Sequence, residues 1–452
     1  MCAEPLNDYI FKEAPSMNEY SYFVKQNLNS IIDEMAKDLT LFVKKPGIDF
    51  SRNRKLPFEN IVKLLISMGG NTIYKELLES QGFNFDTVTT SAFIQQRDKI
   101  LLYAFEFLLH RFIQTFHDTK DYRGYKLLAV DGSDLRIARD PNNHDTYIQN
   151  NWSKKGYSLL HLNALYDLCN NLYVDAIVQP CRRMNENKAL IEMIKRSSIT
   201  GNVIVVADRG FESYNIFAHI AEKGWNYLIR VKDINSNGIV STLPIPLTEE
   251  FDISVKRILT NKRNNKEIND HPDIYKVLYS CTNFDFLGEN KFYPISFRVV
   301  RFKITDDSYE TVITNLNQSD FSPDEIKEIY RRRWKIETSF KELKYVVGLT
   351  SFHAKKQEYI IQEIFARIIM YNFALMITSH VIISQTDTRH IYQVNYTVAI
   401  HICRHFLRLW NNVPPPDVEA LIRKNILPVR PGRKYERKID SRKAVSFNYR
   451  VA

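Results

Sequence analysis

The sequence predicts an α/β fold with helical ends, and three observations carry that reading. Apolar residues recur at helical spacing through the first 120 positions. From Tyr125 the pattern changes to short apolar runs bounded by turn signals, and two of those runs end in an aspartate. The 452 residues are 44% hydrophobic and 25% charged, the balance of a globular chain that buries its own core, so wholesale disorder is excluded.

Taken in order, residues 1 to 120 read as helical: Ile61-Val62 and Leu64-Leu65 recur one turn apart, and Thr90-Ser91-Ala92-Phe93 opens a pattern that runs through Phe112. Lys126 to Asp131 is a buried strand ending in a carboxylate. His161–Asp167 and Asn171–Val178 add two strands around a turn at Cys169-Asn170-Asn171. A helix near Asn187–Lys195 precedes the strongest strand, Asn202 to Asp208, which also ends in an aspartate. A helix over Tyr214–Lys223 and a strand over Asn226–Val231 complete the series. Three strands, helix, strand, helix, strand is the order of a ribonuclease-H-like domain.

Residues 234–315 alternate in polarity, are rich in Val, Ile, Phe and Tyr, and carry turn signals at Asn264-Asn265 and Gly288-Glu289-Asn290, which predicts a β-rich insertion. Helices resume at Ser322, and Pro414-Pro415-Pro416 marks a stiff linker before the tail. The expected division is a helical DNA-binding region over 1–120, a catalytic domain over 121–233 and 316–385, the insertion over 234–315, and a basic helical or extended region over 386–452.

Charge is distributed unevenly. The net +10 resides entirely in the last quarter: from Tyr330 onward there are 22 basic and 9 acidic residues, against 40 and 43 before it. A basic surface of this kind marks a polyanion partner, nucleic acid above all. The stretch from Arg430 to Lys443 interleaves with Tyr435, Phe447 and Tyr449, a mixture suited to phosphate contact and base stacking. The five cysteines are widely spaced with no C-x-x-C pair, which excludes a paired-cysteine zinc site and a disulfide framework. The start lacks a signal-peptide pattern, and the apolar run Phe365–Ile383 contains Arg367, Asn372 and His380, costly in lipid. A soluble, cytoplasmic protein is expected.

An uncompensated aspartate at a strand end is costly unless it faces a polar cleft or a cation, so Asp131 and Asp208 are candidate site residues, with Asp134 a rival three positions on. The segment after Ser322 is sharper. Ser322 as cap, Pro323 at the first position and Glu325 closing a capping box predict a helix running unbroken to about Val347. At 100° per residue, Tyr330, Arg333, Glu337 and Lys344 fall on one stripe, a carboxylate flanked by two cations and a phenol. That stripe alone also fits an ordinary salt-bridged surface with Arg333 and Glu337 paired at i, i+4.

The spacing Tyr330-(2)-Arg333-(3)-Glu337-(6)-Lys344 resembles the Y-R-E-K signature of DDE transposases in the insertion sequence 4 family. Asp131 in Val-Asp-Gly-Ser and Asp208-Arg209-Gly210-Phe211 resemble that family's first and second acidic motifs. The resemblance runs from about Phe58 to the C-terminus. It implies that Asp131, Asp208 and Glu337 are catalytic and hold two Mg²⁺ or Mn²⁺ ions, with Asp131 bridging both. It also implies that Tyr330, Arg333, Lys344 and Arg209 contact DNA. The partners implied are the element's terminal repeats and target DNA, with a homodimer pairing two ends near the bacterial nucleoid. Two carboxylates about 4 Å apart repel by roughly 4 kcal/mol at an effective dielectric of 20, which is why converging acids call for cations.

Some members of that family stack a flipped base on a tryptophan in the insertion. Here Trp152, Trp225, Trp334 and Trp410 all lie outside it, leaving Tyr275, Tyr279, Phe284 or Phe286 as substitutes. Two rival functions compete with strand cleavage and joining. One is an inactive, repurposed transposase that only binds DNA. The other is a carboxylate-pair hydrolase built on Asp131 and Asp208, which leaves the Arg333/Lys344 stripe without a role. A Ser-His-Asp hydrolase is excluded by the lack of a G-x-S-x-G turn.

Overall fold

A computed structural model describes residues 17–429, apart from 53, 117–119, 150–154, 247, 264–265, 280–281, 290, 384–390 and 410–415. Trp152, Trp410, Asn264-Asn265, Pro414-Pro415 and the basic tail from Arg430 lie outside the described residues. The chain divides into a helical unit, comprising the residues up to Phe116 and most of those from Glu342 on, and an α/β unit over His117–Lys341.

Five helices open the chain: α1 (Met17–Lys37), α2 (Phe58–Ser67), α3 (Ile73–Ser80), α4 (Thr90–Arg97) and α5 (Tyr103–Gln114). The strands of the α/β unit follow as β1 (Tyr125–Ile137), β2 (Tyr147–Ile148), β3 (Tyr157–Asp167), β4 (Leu172–Pro180), β5 (Asn202–Ala207) and β6 (Asn226–Val231). Helix α6 (Glu186–Arg196) precedes β5 and α7 (Tyr214–Glu222) follows it. The predicted strand-helix order is therefore present, and Asn171 adopts a left-handed φ of 58° in the turn from β3 to β4.

The sheet explains where the acids lie. Strand β1 is parallel to β5, β5 is parallel to β6, and β3 lies antiparallel on the other side of β1. Along β1, Leu128 and Val130 face a core completed by Val203, Val205 and Ala207 of β5, Leu190 and Met193 of α6, and Ile216, Phe217 and Ile220 of α7. Successive side chains alternate, so Asp131 points away from that core while Gly132 and Asp134 lie on its side. Helix α6 starts where Asn185 accepts a hydrogen bond from the Lys188 amide at 2.9 Å.

The segment after β6 contributes β7 (Phe251–Thr260), the short α8 (Lys266–Asp270), β8 (Tyr275–Val277), β9 (Phe292–Thr305) and β10 (Ser308–Thr314). It is β-rich, but it is not a separate sheet. Strand β10 pairs with β6, β9 with β10, and β7 with β9, so the central sheet continues through the insertion. The insertion's Val255, Phe297 and Val299 join the same core as Phe217. Bare edge hydrogen-bonding groups on β6 have to find partners, and β10 supplies them.

Helix α9 (Pro323–Arg332) begins with the full capping box of Ser322 and Glu325 and Pro323 at its first position. The single long helix expected from Ser322 to Val347 is instead divided. The Arg333 amide bonds back three residues to Tyr330, and Ile336 bonds back three to Arg333, before α10 (Trp334–Glu342) resumes. A π-helical turn over Leu343–Val347 follows, ended by Gly348 with φ 98°. The two-unit boundary falls between Lys341 and Glu342, so residues 342–385 lie with the helical unit rather than with the sheet.

The helical unit is completed by α11 (Gln357–Ser379), α12 (Tyr396–Arg408) and α13 (Val418–Lys424), with a two-stranded ribbon of β11 (Tyr392–Val394) and β12 (Ile426–Pro428). Helix α11 is long and apolar enough to cross a membrane, but 94% of its most apolar window is buried within the protein, so it is a core helix. Its charges are internally paired. Glu363 accepts Arg97 Nη1 at 2.9 Å and the His353 amide at 2.9 Å, and Arg367 Nη2 lies 3.5 Å away. Burial alone would raise the Glu363 pKa, but His353, Arg97 and Arg367 outweigh it and hold the carboxyl well below the usual range.

Candidate active site

Three elements of the α/β unit bring the predicted acids together. Strands β1 and β5 pair in parallel up to Ala129 opposite Val206, so two more residues place Asp131 level with Asp208. Strand β5 ends there as expected, whereas β1 does not end at Asp131 but runs on to Ile137, held by its pairing with β3, so that Asp131 sits mid-strand opposite Ala164. Adjacent strands lie about 4.8 Å apart. Asp131 accepts its own neighbour's amide, Gly132 N, at 2.8 Å. Asp208 caps a short 3₁₀ turn and accepts Gly210 N at 2.8 Å.

Glu337 comes from α10, which is fastened to the β3–β4 hairpin. Lys335 Nζ donates to the Leu168 carbonyl at 2.9 Å, Ser339 Oγ lies 2.8 Å from the Tyr173 hydroxyl, and the Phe340 ring sits 6.1 Å from that of Tyr173. The Asp131 carboxyl is pushed up to about 6, chiefly by burial, with the charges of Asp208 and Glu337 adding and Gly132 N and Arg333 opposing. Asp208 and Glu337 thus both lie near enough to act on Asp131 electrostatically.

Arg333 is the cation of the site. It is 4% exposed, its Nη2 donates to Glu337 Oε1 at 3.1 Å, and its guanidinium lies 5.7 Å from the Tyr330 ring and 5.2 Å from that of Trp334. Burial opposes its charge, yet Tyr330, Glu337 and Asp131 more than offset that cost and raise its pKa. Its Nε makes no hydrogen bond of good geometry among the described residues, and the buried Tyr330 hydroxyl interacts with the guanidinium itself. A buried guanidinium with donor capacity to spare is suited to an incoming anion.

Arg209, in the turn after Asp208, is exposed. It lines a cleft of about 430 Å³ together with Lys232, Lys276, Tyr214 and Tyr279. Tyr214 is 7% exposed and its hydroxyl finds no partner among the described residues. Of the four aromatic candidates in the insertion, Phe284 and Phe286 pack against each other and Tyr293, and Tyr275 packs against Phe292. Tyr279 is 71% exposed, with Arg263 6.0 Å from its ring. Lys344 lies in the π-helical turn, among the residues of the helical unit.

Asp134, the rival carboxylate, is committed elsewhere: it bonds to Nδ1 of His161 at 2.9 Å, and His161 Nε2 lies 2.9 Å from Glu186. Neither His161 nor Glu186 stood out in the sequence, because a lone histidine in an apolar strand and a glutamate opening a helix are both commonplace. As chemistry, three carboxylates are hard oxygen donors of the kind Mg²⁺ and Mn²⁺ take. Among the described residues no three Asp, Glu, His or Cys side chains are gathered tightly enough to share an ion as they stand. Asp131 and Asp208 are turned onto the glycine amides and Glu337 onto Arg333.

Residues 122–373 match the family described as "Transposase DDE domain". The putative transposase InsZ of Escherichia coli strain K12 is 25% identical over 188 residues, 39% of this chain, and the match spans 61% of that relative's length. A piggyBac transposase, solved by cryo-EM as a synaptic complex with hairpin DNA, is 11% identical with a TM-score of 0.39, covering 86% of this chain and 77% of the other, a likeness too slight to carry an argument. The family match spans more than half of the chain and includes all three acids, and on that ground the protein belongs to the DDE transposase family.

Proposed function

We propose that the protein cuts the ends of a mobile DNA element and joins them to target DNA, as an active transposase with the Y-R-E-K pattern of the insertion sequence 4 family. The observation that supports this most is the convergence of Asp131, Asp208 and Glu337 on one another with the buried Arg333 beside them. Asp131, Asp208 and Glu337 are the residues that would hold two Mg²⁺ or Mn²⁺ ions. Such ions, when bound, supply Lewis-acid stabilisation of charge on phosphate oxygens.

The chain's own side chains have separate tasks. Arg333, planar and held between two rings, offers a phosphate a fixed fork of donors, including the unsatisfied Nε. Tyr330 adds a hydroxyl, and Lys344 and Arg209 add charge along the strand being handled. The cleft of Arg209, Lys232 and Lys276 extends that positive surface. A homodimer pairing two element ends belongs to the same proposal.

The test is incubation of the purified protein with a DNA fragment carrying the gene's flanking terminal repeats and Mg²⁺, beside Glu337→Gln and an EDTA control. Metal-dependent cuts at the repeat ends that vanish in the variant are the expected result. Binding without cutting under any divalent metal overturns the proposal in favour of a DNA-binding protein. Cutting retained by Glu337→Gln removes Glu337 from the site.

A further inference from the structure

The Asp131 segment of β1 and the Asp208 turn are connected from behind by a charged bridge. Strands β1 and β3 place Asp134 directly opposite His161, on the α6 side of the sheet. The imidazole is 5% exposed and makes a bond from each ring nitrogen, Nδ1 to Asp134 and Nε2 to Glu186, both at 2.9 Å. Burial disfavours its charge, but the two carboxylates prevail and its pKa is raised to about 9. It is thus an imidazolium donating to both partners, a stronger linkage than a neutral ring makes.

Glu186 extends the bridge to both acidic segments. A Cβ placed on Gly132 would collide with Glu186 Oε1 and His161 Nε2. A Cβ on Gly210 would lie 3.7 Å from Glu186 Oε2 and 3.1 Å from Asp208 Oδ1. One oxygen of Glu186 therefore rests over Gly132 and the other faces Gly210. Those are the two glycines whose amides hold Asp131 and Asp208 at 2.8 Å. Glycine is needed at 132 because the carboxylate and the imidazole occupy the space of a side chain.

We propose that His161 is a positioning residue: clamped between Asp134 and Glu186, it sets the spacing of the Asp131 segment of β1 and the Asp208 turn from the face of the sheet opposite the acids. This rests on the reading of those acids as the strand-cleaving site. Because the clamp lies on the other face of the sheet from the acids' carboxylates, its loss should lower turnover and spare DNA binding. Groups that orient a site's ligands typically contribute about 10- to 100-fold to activity.

The experiment compares wild type, His161→Gln, Glu186→Ala and the shape-conserving Glu186→Gln, all as the full chain. Cleavage of terminal-repeat DNA gives kcat and KM, and hydrogen exchange read by mass spectrometry is followed over peptides spanning residues 128–136 and 204–213. Expected are a kcat lower by about 10- to 100-fold in His161→Gln and Glu186→Ala, unchanged KM, and partial recovery in Glu186→Gln, which still reaches the imidazole. Exchange accelerates in both peptides, including the Asp208 turn that His161 does not touch. A kcat equal to wild type, or faster exchange confined to the β1–β3 pair, overturns the clamp. If wild type itself cuts no DNA with any divalent metal, the strand-cleaving reading fails, and the exchange data still decide whether the two acidic segments are coupled.

Discussion

Two carboxylate–arginine pairs in this chain share a chemistry and differ in everything that makes a site. In the helical unit, Glu363 and Arg97 have side chains 2% and 3% exposed, and Glu363 is further bonded by His353 and approached by Arg367. In the α/β unit, Glu337 is 35% exposed against 5% for Arg333, it faces two further acids, and Arg333 keeps an unsatisfied Nε. In the first cluster the neighbouring cations outweigh burial and hold the carboxyl deep in the ionised state, although His353 Nε2 finds no partner among the described residues. The second is under-compensated, and its central acid, Asp131, is pushed up to about 6, mainly by burial. A carboxylate whose charge is fully offset marks a structural network, and one left under-compensated marks a candidate site.

The largest effect expected breaks the buried Glu363 cluster. Glu363→Ala leaves Arg97 buried without its partner, a loss of about 3–5 kcal/mol on the usual scale for opening a buried pair. Denaturant unfolding should show it as a lower midpoint. Cleavage per folded molecule should stay at the wild-type level, and a fall in proportion with stability would mean that this cluster also serves the site.

Glu337→Gln should behave in the opposite way. It keeps the shape and an acceptor for Arg333, so the unfolding midpoint should remain near wild type. Cleavage should fall about a hundredfold or more, the scale on which one preorganised charge-stabilising group acts. A variant that unfolds early but still cuts would reverse the assignment of roles between the two clusters.

A pH titration sharpens the comparison. The His161 pKa is raised from 6.5 to about 9 in the folded chain. The clamp's contribution is therefore complete below pH 6.5 and lost as pH rises through about 9. Glu363 has the reverse sign: its pKa is depressed, so its contribution holds above the unfolded carboxylate value and fades only in acid. Wild type should lose unfolding free energy between pH 6.5 and 9, and His161→Gln should lose less over that window, as measured by urea melts at each pH.

What the residues disclosed in advance follows the range of the interactions involved. The capping box at Ser322, Asp208 at the end of β5 and the i, i+4 pairing of Arg333 with Glu337 are local, and local patterns are visible in one sequence. That β1 runs six residues past Asp131 depends on its pairing with β3 and is not visible there. The pairing of β10 with β6 joins Thr311 to Val231 across the whole insertion, and nothing in the alternation of residues 234–315 states which strand they meet. The break at Arg333 is equally hidden, because Arg333 keeps helical dihedrals and only its hydrogen bonds tighten. His161 stayed silent for the same reason as β10: its meaning lies in the register that sets it opposite Asp134 and in the place where α6 brings Glu186.

The smallest effect concerns the edge of the under-compensated site. Arg209 is exposed beside the Asp208 turn, and a solvated cation at such a place contributes to DNA affinity by displacing counterions rather than by fixing geometry. Arg209→Ala should weaken binding to repeat DNA and to unrelated DNA alike, and reduce the slope of log Kd against log salt by about one. Arg333 differs because its guanidinium is buried between Tyr330 and Trp334 and aligned on Glu337. Arg333→Lys keeps the charge but loses the planar fork, so its salt slope should match wild type while its kcat falls. The two variants separate charge from geometry within one site. Identical salt slopes in wild type and Arg209→Ala would place the DNA backbone away from the Asp208 turn and shift the search for its path to Lys232, Lys276 and Tyr279 of the neighbouring cleft.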